Sequence, residues 1–208
     1  MDFNWGDAEQ VPASRPRSSG RLIGLFVLLG VVVLMVLAIR TLMPGVDTTP
    51  SPAVGNRYEG LQLEPLDSDG EPLTLDGLQG QVALINFWGP WCPPCRLEFP
   101  ELIELRDDLA ENKSFRLLSV TCMPDQNEQQ LVTQTKTYLQ SQGYDLPVHR
   151  DPTFASRMSL LELTQGTNFN YPTTVLLDQQ GVIRHVWTGY RPGVGRDMRQ
   201  RIDELLKK

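Results

Sequence analysis

Apolar and polar positions divide the chain into three stretches of different character. From Leu22 to Ile39 there is no alternation: 18 consecutive residues carry no charge and are mostly leucine and valine. As a helix this run spans about 27 Å, close to the roughly 30 Å hydrocarbon core of a bilayer. It is longer than the apolar region of a typical signal peptide, about 7–15 residues, and no A-x-A-like cleavage site follows it. No cysteine follows that could take a lipid. An uncleaved membrane anchor over 22–42 is therefore the preferred reading, against a cleaved signal or a buried core helix. From 43 to 59 the pattern dissolves into Pro44, Gly45, Pro50, Pro52 and Gly55 among small polar residues, which predicts an extended tether. Periodic segments begin only near residue 60.

Those segments alternate between two periods. Residues 61–75 alternate apolar and polar around Asp69-Gly70, a hairpin signal. Val82–Trp88 and Phe115–Thr121 are short apolar runs that suit strands buried on both faces. Pro93 to about Ala110 reads as a helix, with Phe99, Leu102, Ile103, Leu109 and Ala110 on one face. Glu128–Gln140 is helical by the spacing of Leu131, Val132, Thr135, Tyr138 and Leu139. A short strand near Pro147–His149 and a helical stretch from about Pro152 to Leu161 follow. Thr173–Asp178 and Val182–Thr188 form a hairpin, and Val194–Leu206 is a helix with Val194, Met198, Ile202 and Leu205 in register. The order predicts an α/β domain over 60–208: a mixed central sheet with helices on its faces.

Charge adds topology and excludes one class of partner. Arg15, Arg17 and Arg21 precede the apolar run, so the positive-inside rule puts 1–21 in the cytoplasm and the C-terminal domain across a single-pass cytoplasmic (inner) membrane. The formal net charge is −6 and no basic stripe is present, which does not suit nucleic-acid binding.

The chemistry lies in the cysteines. Three of them, Cys92, Cys95 and Cys122, are too few for a disulfide scaffold or a four-cysteine zinc site. His149 and His185 are not at ligand spacing, and no metal or other cofactor is expected. Cys92-Pro93-Pro94-Cys95 stands between a buried strand and a helix. Cys92 would be the N-cap, and the prolines would fill the first turn, where missing N–H groups cost nothing. The helix dipole favours a thiolate at Cys92. Cys95, one turn on, can close a disulfide with it. This predicts a redox dithiol with Cys92 as exposed attacker and Cys95 as resolver. An inert disulfide or half of a zinc knuckle is the alternative, and the missing second C-x-x-C disfavours zinc.

The run Leu84-Ile85-Asn86-Phe87-Trp88-Gly89-Pro90-Trp91-Cys92-Pro93-Pro94-Cys95-Arg96-Leu97-Glu98-Phe99-Pro100 resembles the TlpA/ResA branch of the thioredoxin superfamily. A looser likeness covers the rest of 60–208, including the N-terminal hairpin and the helix inserted at 128–140. The resemblance implies a thioredoxin fold and an extracytoplasmic thiol–disulfide oxidoreductase. It implies that Pro172, in Tyr171-Pro172-Thr173, is the cis-proline whose loop faces the dithiol and pairs with substrate backbone. It matches Glu98 to an active-site glutamate able to relay protons and raise thiol pKa values; a solvated helix glutamate is the plain alternative. Asn86 stands where plain thioredoxins have a buried aspartate. Pro100 matches the kink proline of the first helix.

Trp91, Tyr171 and Thr173 are the expected substrate-contact residues, with Trp88 as packing. Cys122 ends the second strand on the dithiol's edge of the sheet. It is read as a small buried residue, with an auxiliary redox thiol or, with Met123, a copper(I) ligand as the sharper alternatives. The expected activity is reduction of disulfides in exported proteins, with apocytochrome c among the candidates, fed by a membrane thiol donor. The alternative is a copper-handling protein using Cys92, Cys95 and Cys122. A peroxidase reading fails because the P-x-x-x-T-x-x-C pattern is absent. Nothing in the Pro-Pro pair by itself fixes the direction of electron flow.

Overall fold

The computed structural model describes residues 24–26, 28–35, 50–66, 71–123 and 127–207. Within them lie the strands β1 (Gln62–Pro65), β2 (Leu73–Thr74), β3 (Val82–Trp88), β4 (Phe115–Thr121), β5 (Val148–Arg150), β6 (Thr173–Leu177) and β7 (Ile183–Thr188). The helices of the same unit are α1 (Pro93–Asp108), α2 (Glu128–Gln142), α3 (Ala155–Thr164) and α4 (Val194–Leu206). The sheet runs β2-β1-β5-β4-β3-β6-β7. β3 pairs parallel with β4 and antiparallel with β6, and β4 pairs parallel with β5.

The central strand explains the layering. All seven residues of β3 are buried, as the unbroken apolar run predicts for a strand covered on both faces. Side chains on a strand alternate between faces. Val82 and Leu84 pack with Leu102 and Leu105 of α1 and Met198 and Ile202 of α4. Ala83, Ile85 and Phe87 point the other way, into a core shared with Tyr58, Leu63 and Leu160. By the same pleat, Asn86 belongs with Val82 and Leu84, toward α1. That placement is what brings it to the dithiol helix.

Two helices meet closely beside this core. The Glu101 carboxylate on α1 accepts from the backbone N–H of Gly193 at 3.1 Å, from that of Gly195 at 2.7 Å and from the Tyr190 hydroxyl at 3.1 Å. It thereby satisfies donors that α4 leaves without intrahelical partners. A Cβ at Gly195 would stand 2.9 Å from the Glu101 Cβ, so glycine is what lets the helices approach. Glu101→Ala should lower stability by about 1–2 kcal/mol, the usual worth of an N-terminal cap. A lowered urea midpoint with an unchanged slope would show it; an unchanged midpoint would refute the cap.

Several sequence expectations need correction. The tether expected over 43–59 does not extend that far. Residues 43–49 lie outside the described residues, but from Pro50 the chain belongs to the folded unit Pro50–Lys208. Ala53 and Tyr58 are fully buried, and the Tyr58 hydroxyl donates to the Ser156 carbonyl at 2.7 Å. Proline and glycine content there marks turns, not a tether. On α1 the buried face is Cys95, Glu98, Phe99, Leu102 and Leu105. Ala110 falls beyond the helix and is exposed, because the helix ends at Asp108. The hairpin exists as β1 paired with β2, while its turn at Asp69-Gly70 lies outside the described residues.

In the other unit, Met1–Thr49, residues 24–26 and 28–35 are helical. Their large apolar side chains are half or more exposed, from Val32 at 50% to Phe26 at 70%. Among the described residues, no helix is long and apolar enough to cross a membrane. The remainder of the expected span, 22–42, lies outside them.

Candidate active site

β3 ends at Trp88 and the chain turns through Gly89-Pro90-Trp91 into α1. Cys92 is the N-cap of that helix in extended conformation, with prolines at the first two helical positions. Those prolines have no N–H to offer, so the Cys92 Sγ accepts from the next available donor, the Cys95 backbone N–H, at 3.3 Å. The two cysteines form a disulfide with Cα atoms 5.3 Å apart. Against expectation, Cys92 is only 3% exposed, hardly more than Cys95 at 1%. Trp88, Phe99 and Leu66 pack around the pair, with Tyr171 against the same cluster. Its surroundings are nonetheless open: Pro93, Pro94 and Leu97 are exposed.

Helical spacing puts Glu98 and Phe99 on the same inward face as Cys95, three and four residues on. Phe99 stacks on Trp88 at 4.3 Å between ring centroids. Glu98 meets Asn86 from β3, whose side-chain N–H₂ donates to Glu98 Oε2 and to Thr174 Oγ1, both at 2.8 Å. Glu98 is 1% exposed. Burial pushes its carboxyl up from 4.5 to about 7, the Asn86 hydrogen bond pulls it down, and the Glu101 charge adds to the rise. The solvated-glutamate alternative therefore fails. An acid titrating near neutrality one turn from Cys95 can give or take a proton during exchange.

The Tyr171–Pro172 bond is cis, and β6 begins directly after it, alongside β3. Thr173 is buried at the start of β6, and its hydroxyl donates to the Asn170 carbonyl at 2.7 Å. It therefore braces the proline loop and does not offer its side chain to a substrate, contrary to expectation. Trp91 is partly exposed, with its indole N–H donating to the Cys122 carbonyl at 2.7 Å and its ring edge-on to Tyr171 at 5.3 Å. Trp88 is packing, as expected: it is fully buried and its N–H donates to Ser119 Oγ at 2.7 Å.

Cys122 follows β4 as a free, buried thiol. Burial pushes it up to about 12, against the opposing pull of Arg157, so a reactive thiolate there is disfavoured. Among the described residues, no group of three or more His, Cys, Asp or Glu side chains is placed to hold a metal ion. A cleft of about 440 Å³ opens beyond Cys122, lined by Leu131, Phe154 and Arg157 among others. Neither Cys92 nor Cys95 lines it. His149 is buried on β5, and His185 stacks on Trp187 at 4.2 Å.

Sequence reasoning missed the group beside Cys122. Arg157 on α3 binds Asp151 through Nε at 2.9 Å and the Tyr171 hydroxyl through Nη1 at 2.9 Å. Both charges are nearly or wholly buried. The only trace in the sequence is an Asp and an Arg six residues apart at the edges of a helical pattern, which ordinarily signals a solvated face.

A central strand feeding a dithiol helix N-terminus, with the residue before a cis-proline packed on the same cluster, defines a thioredoxin-fold redox protein. Residues 47–206 match the Redoxin family, and the chain belongs to it. It is similar to the thiol-disulfide oxidoreductase ResA of Halalkalibacterium halodurans, 29% identical over 141 residues, 68% of this chain and 71% of that one. Likewise it is 29% identical over 142 residues to the thiol:disulfide interchange protein DsbE of Pseudomonas aeruginosa, 67% of this chain and 69% of that one. The crystal structure of a secreted thiol-disulfide isomerase from Corynebacterium glutamicum superposes with a TM-score of 0.57 at 25% identity, covering 70% of this chain and 82% of that one. The protein is a thiol–disulfide oxidoreductase of the DsbE/ResA type.

Proposed function

We propose that this oxidoreductase works outside the cytoplasmic membrane as an anchored reductant of exported proteins, with apocytochrome c before haem attachment as a candidate substrate. In the reduced form the Cys92 thiolate attacks a substrate disulfide, releases one substrate thiolate and forms a mixed disulfide. The Cys95 thiolate then attacks the Cys92 sulfur, releases the second substrate thiolate, and leaves the Cys92–Cys95 disulfide. Glu98 supplies and takes up the protons, and the loop at Pro172 pairs with the substrate backbone. A membrane dithiol protein returns the two electrons.

The observation that carries the reductant direction is the poor solvation of Cys92. Strong oxidants of this fold owe their potential to a stabilised thiolate in the reduced form. Here Pro93 and Pro94 remove two of the donors a helix N-terminus would aim at that sulfur, leaving the Cys95 N–H. Cys92 is also only 3% exposed, which leaves little water to solvate a charge there. The anchor is supported by the uninterrupted apolar run and by the exposure of its described side chains: a helix apolar on every face needs an apolar surrounding.

Measuring the equilibrium of Cys92–Cys95 with glutathione tests the direction. The expected potential lies nearer thioredoxin, about −270 mV, than the strong oxidant end of the fold, about −120 mV. A value at the oxidant end would refute the reductant assignment. For topology, a reporter that works only in the cytoplasm, fused after Lys208, should be silent; activity would place the domain inside.

A further inference from the structure

Arg157 lies on α3, away from the helix that carries the dithiol, yet it is held on every side. Its Nε and backbone N–H donate to Asp151 Oδ2 at 2.9 and 3.0 Å, and its Nη2 donates to the Asp151 carbonyl at 3.0 Å. The Phe154 ring lies 4.2 Å beneath the guanidinium. Asp151 is fixed in turn, its Oδ1 accepting from the Ser156 N–H at 3.2 Å. One guanidinium nitrogen is left to point outward from this clamp. That nitrogen, Nη1, donates to the Tyr171 hydroxyl at 2.9 Å and lies 3.5 Å from the Met123 carbonyl.

Tyr171 is the residue before the cis-proline. Its ring packs against the cluster containing Cys92 and Cys95 and meets the edge of Trp91 at 5.3 Å. Trp91 is pinned in its turn to the Cys122 carbonyl, one residue before Met123. Gly89 is what admits that indole: a Cβ there would stand 2.3 Å from Trp91 Nε1 and 2.7 Å from the Cys122 oxygen. A buried charge thus ties together the loop after β4, the β5–α3 loop, the cis-proline loop and the residue beside Cys92. A planar, five-donor guanidinium can reach these acceptors at once, whereas a lysine ammonium is a single point.

We propose that Arg157 is a positioning residue for protein substrates: by holding the Tyr171 hydroxyl it sets the Tyr171 and Trp91 rings as one rigid contact surface beside Cys92. It touches neither sulfur. Its influence falls on recognition of a polypeptide, not on the exchange step. The inference rests on the reading that protein disulfides are the substrates.

The test compares the KM for insulin with the KM for a small aromatic disulfide, using the reduced full-length protein. Tyr171→Phe removes the hydroxyl and leaves the buried ion pair intact, so it keeps the test valid even if Arg157→Gln does not fold. Its ratio of insulin KM to small-disulfide KM should rise about tenfold, the order of one hydrogen bond from a charged donor. Arg157→Lys, which can hold Asp151 but not every acceptor together, should raise the ratio similarly. The two changes combined should raise it no further, since they break one interaction. Arg184→Gln, which loses an ion pair to Asp178 elsewhere, controls for stability and should leave the ratio at the wild-type value. Flat ratios in folded Tyr171→Phe and Arg157→Lys, with wild type active on insulin, overturn the inference alone. A rise matched by Arg184→Gln reduces Arg157 to a structural role and overturns it too. Failure of the wild type to reduce insulin sinks the underlying functional reading and this inference with it.

Discussion

Cys92→Ser should leave insulin reduction at the background of the thiol reductant alone, while Cys95→Ser should accumulate the protein in mixed disulfides with its substrates. The asymmetry follows from position on one helix. Cys92 is the N-cap, between the partly exposed Trp91 and the exposed Pro93 and Pro94. Its place at the exposed start of the helix makes it the sulfur expected to meet a substrate first. Cys95 sits one turn inside, on the face that also buries Glu98, Phe99 and Leu102, and the sulfur within its reach is that of Cys92. A serine at 92 cannot attack a disulfide at neutral pH, because its hydroxyl is not ionised and forms no S–S bond. A serine at 95 leaves the first attack intact but cannot displace the product. Non-reducing electrophoresis and intact mass measurement would resolve the trapped species. Comparable, near-wild-type turnover in both variants would defeat the mechanism.

Glu98→Gln should stabilise the oxidised protein by about 3 kcal/mol at pH 8 and by almost nothing at pH 4. The folded carboxyl titrates near 7 against an ordinary value of 4.5, and each tenfold change in proton affinity is worth about 1.4 kcal/mol. Between those two values the folded chain binds a proton that the unfolded chain has released. Wild-type stability therefore falls as pH rises through that window and levels off above it. Below pH 4.5 both states are protonated and the penalty disappears. Glutamine mimics the protonated acid, and its carbonyl can still accept from Asn86, so the variant escapes the penalty. Urea titrations at the two pH values would measure the difference. An equal difference at both would show that Glu98 is not a buried, uncompensated acid. The same variant should flatten the pH dependence of turnover near neutrality if Glu98 moves the protons of exchange.

The buried acid also shows where one-dimensional reading stops. The likeness of the run around the dithiol suggested a role for Glu98, but a glutamate three residues along a helix is solvated or buried according to what packs against it. The pleat of β3 decides this by sending Asn86 toward α1, with Thr174 of β6 behind it. Thr173 went the other way: the motif proposed it for substrate contact, and its hydroxyl is spent on the Asn170 carbonyl. Residues 50–59 read as a tether because proline and glycine look alike in linkers and in packed turns. Only the fit of Tyr58 under Ser156 distinguishes them.

Local pattern determined most of the elements. Period-two and period-3.6 apolar spacing act on each segment by itself, and the bounds Val82–Trp88, Phe115–Thr121 and Val194–Leu206 follow from them. The dithiol was legible for the same reason: a strand, a turn, and a C-x-x-C with prolines at the first helical positions are all local. What the tertiary structure alone decided was the environment of each group. It buried Cys92, made Glu98 a near-neutral acid, enclosed the Cys122 thiol, and brought Tyr171 onto the buried Arg157–Asp151 pair. Burial and the pKa shifts it causes depend on contacts between residues far apart in the chain, and no spacing along the chain encodes them.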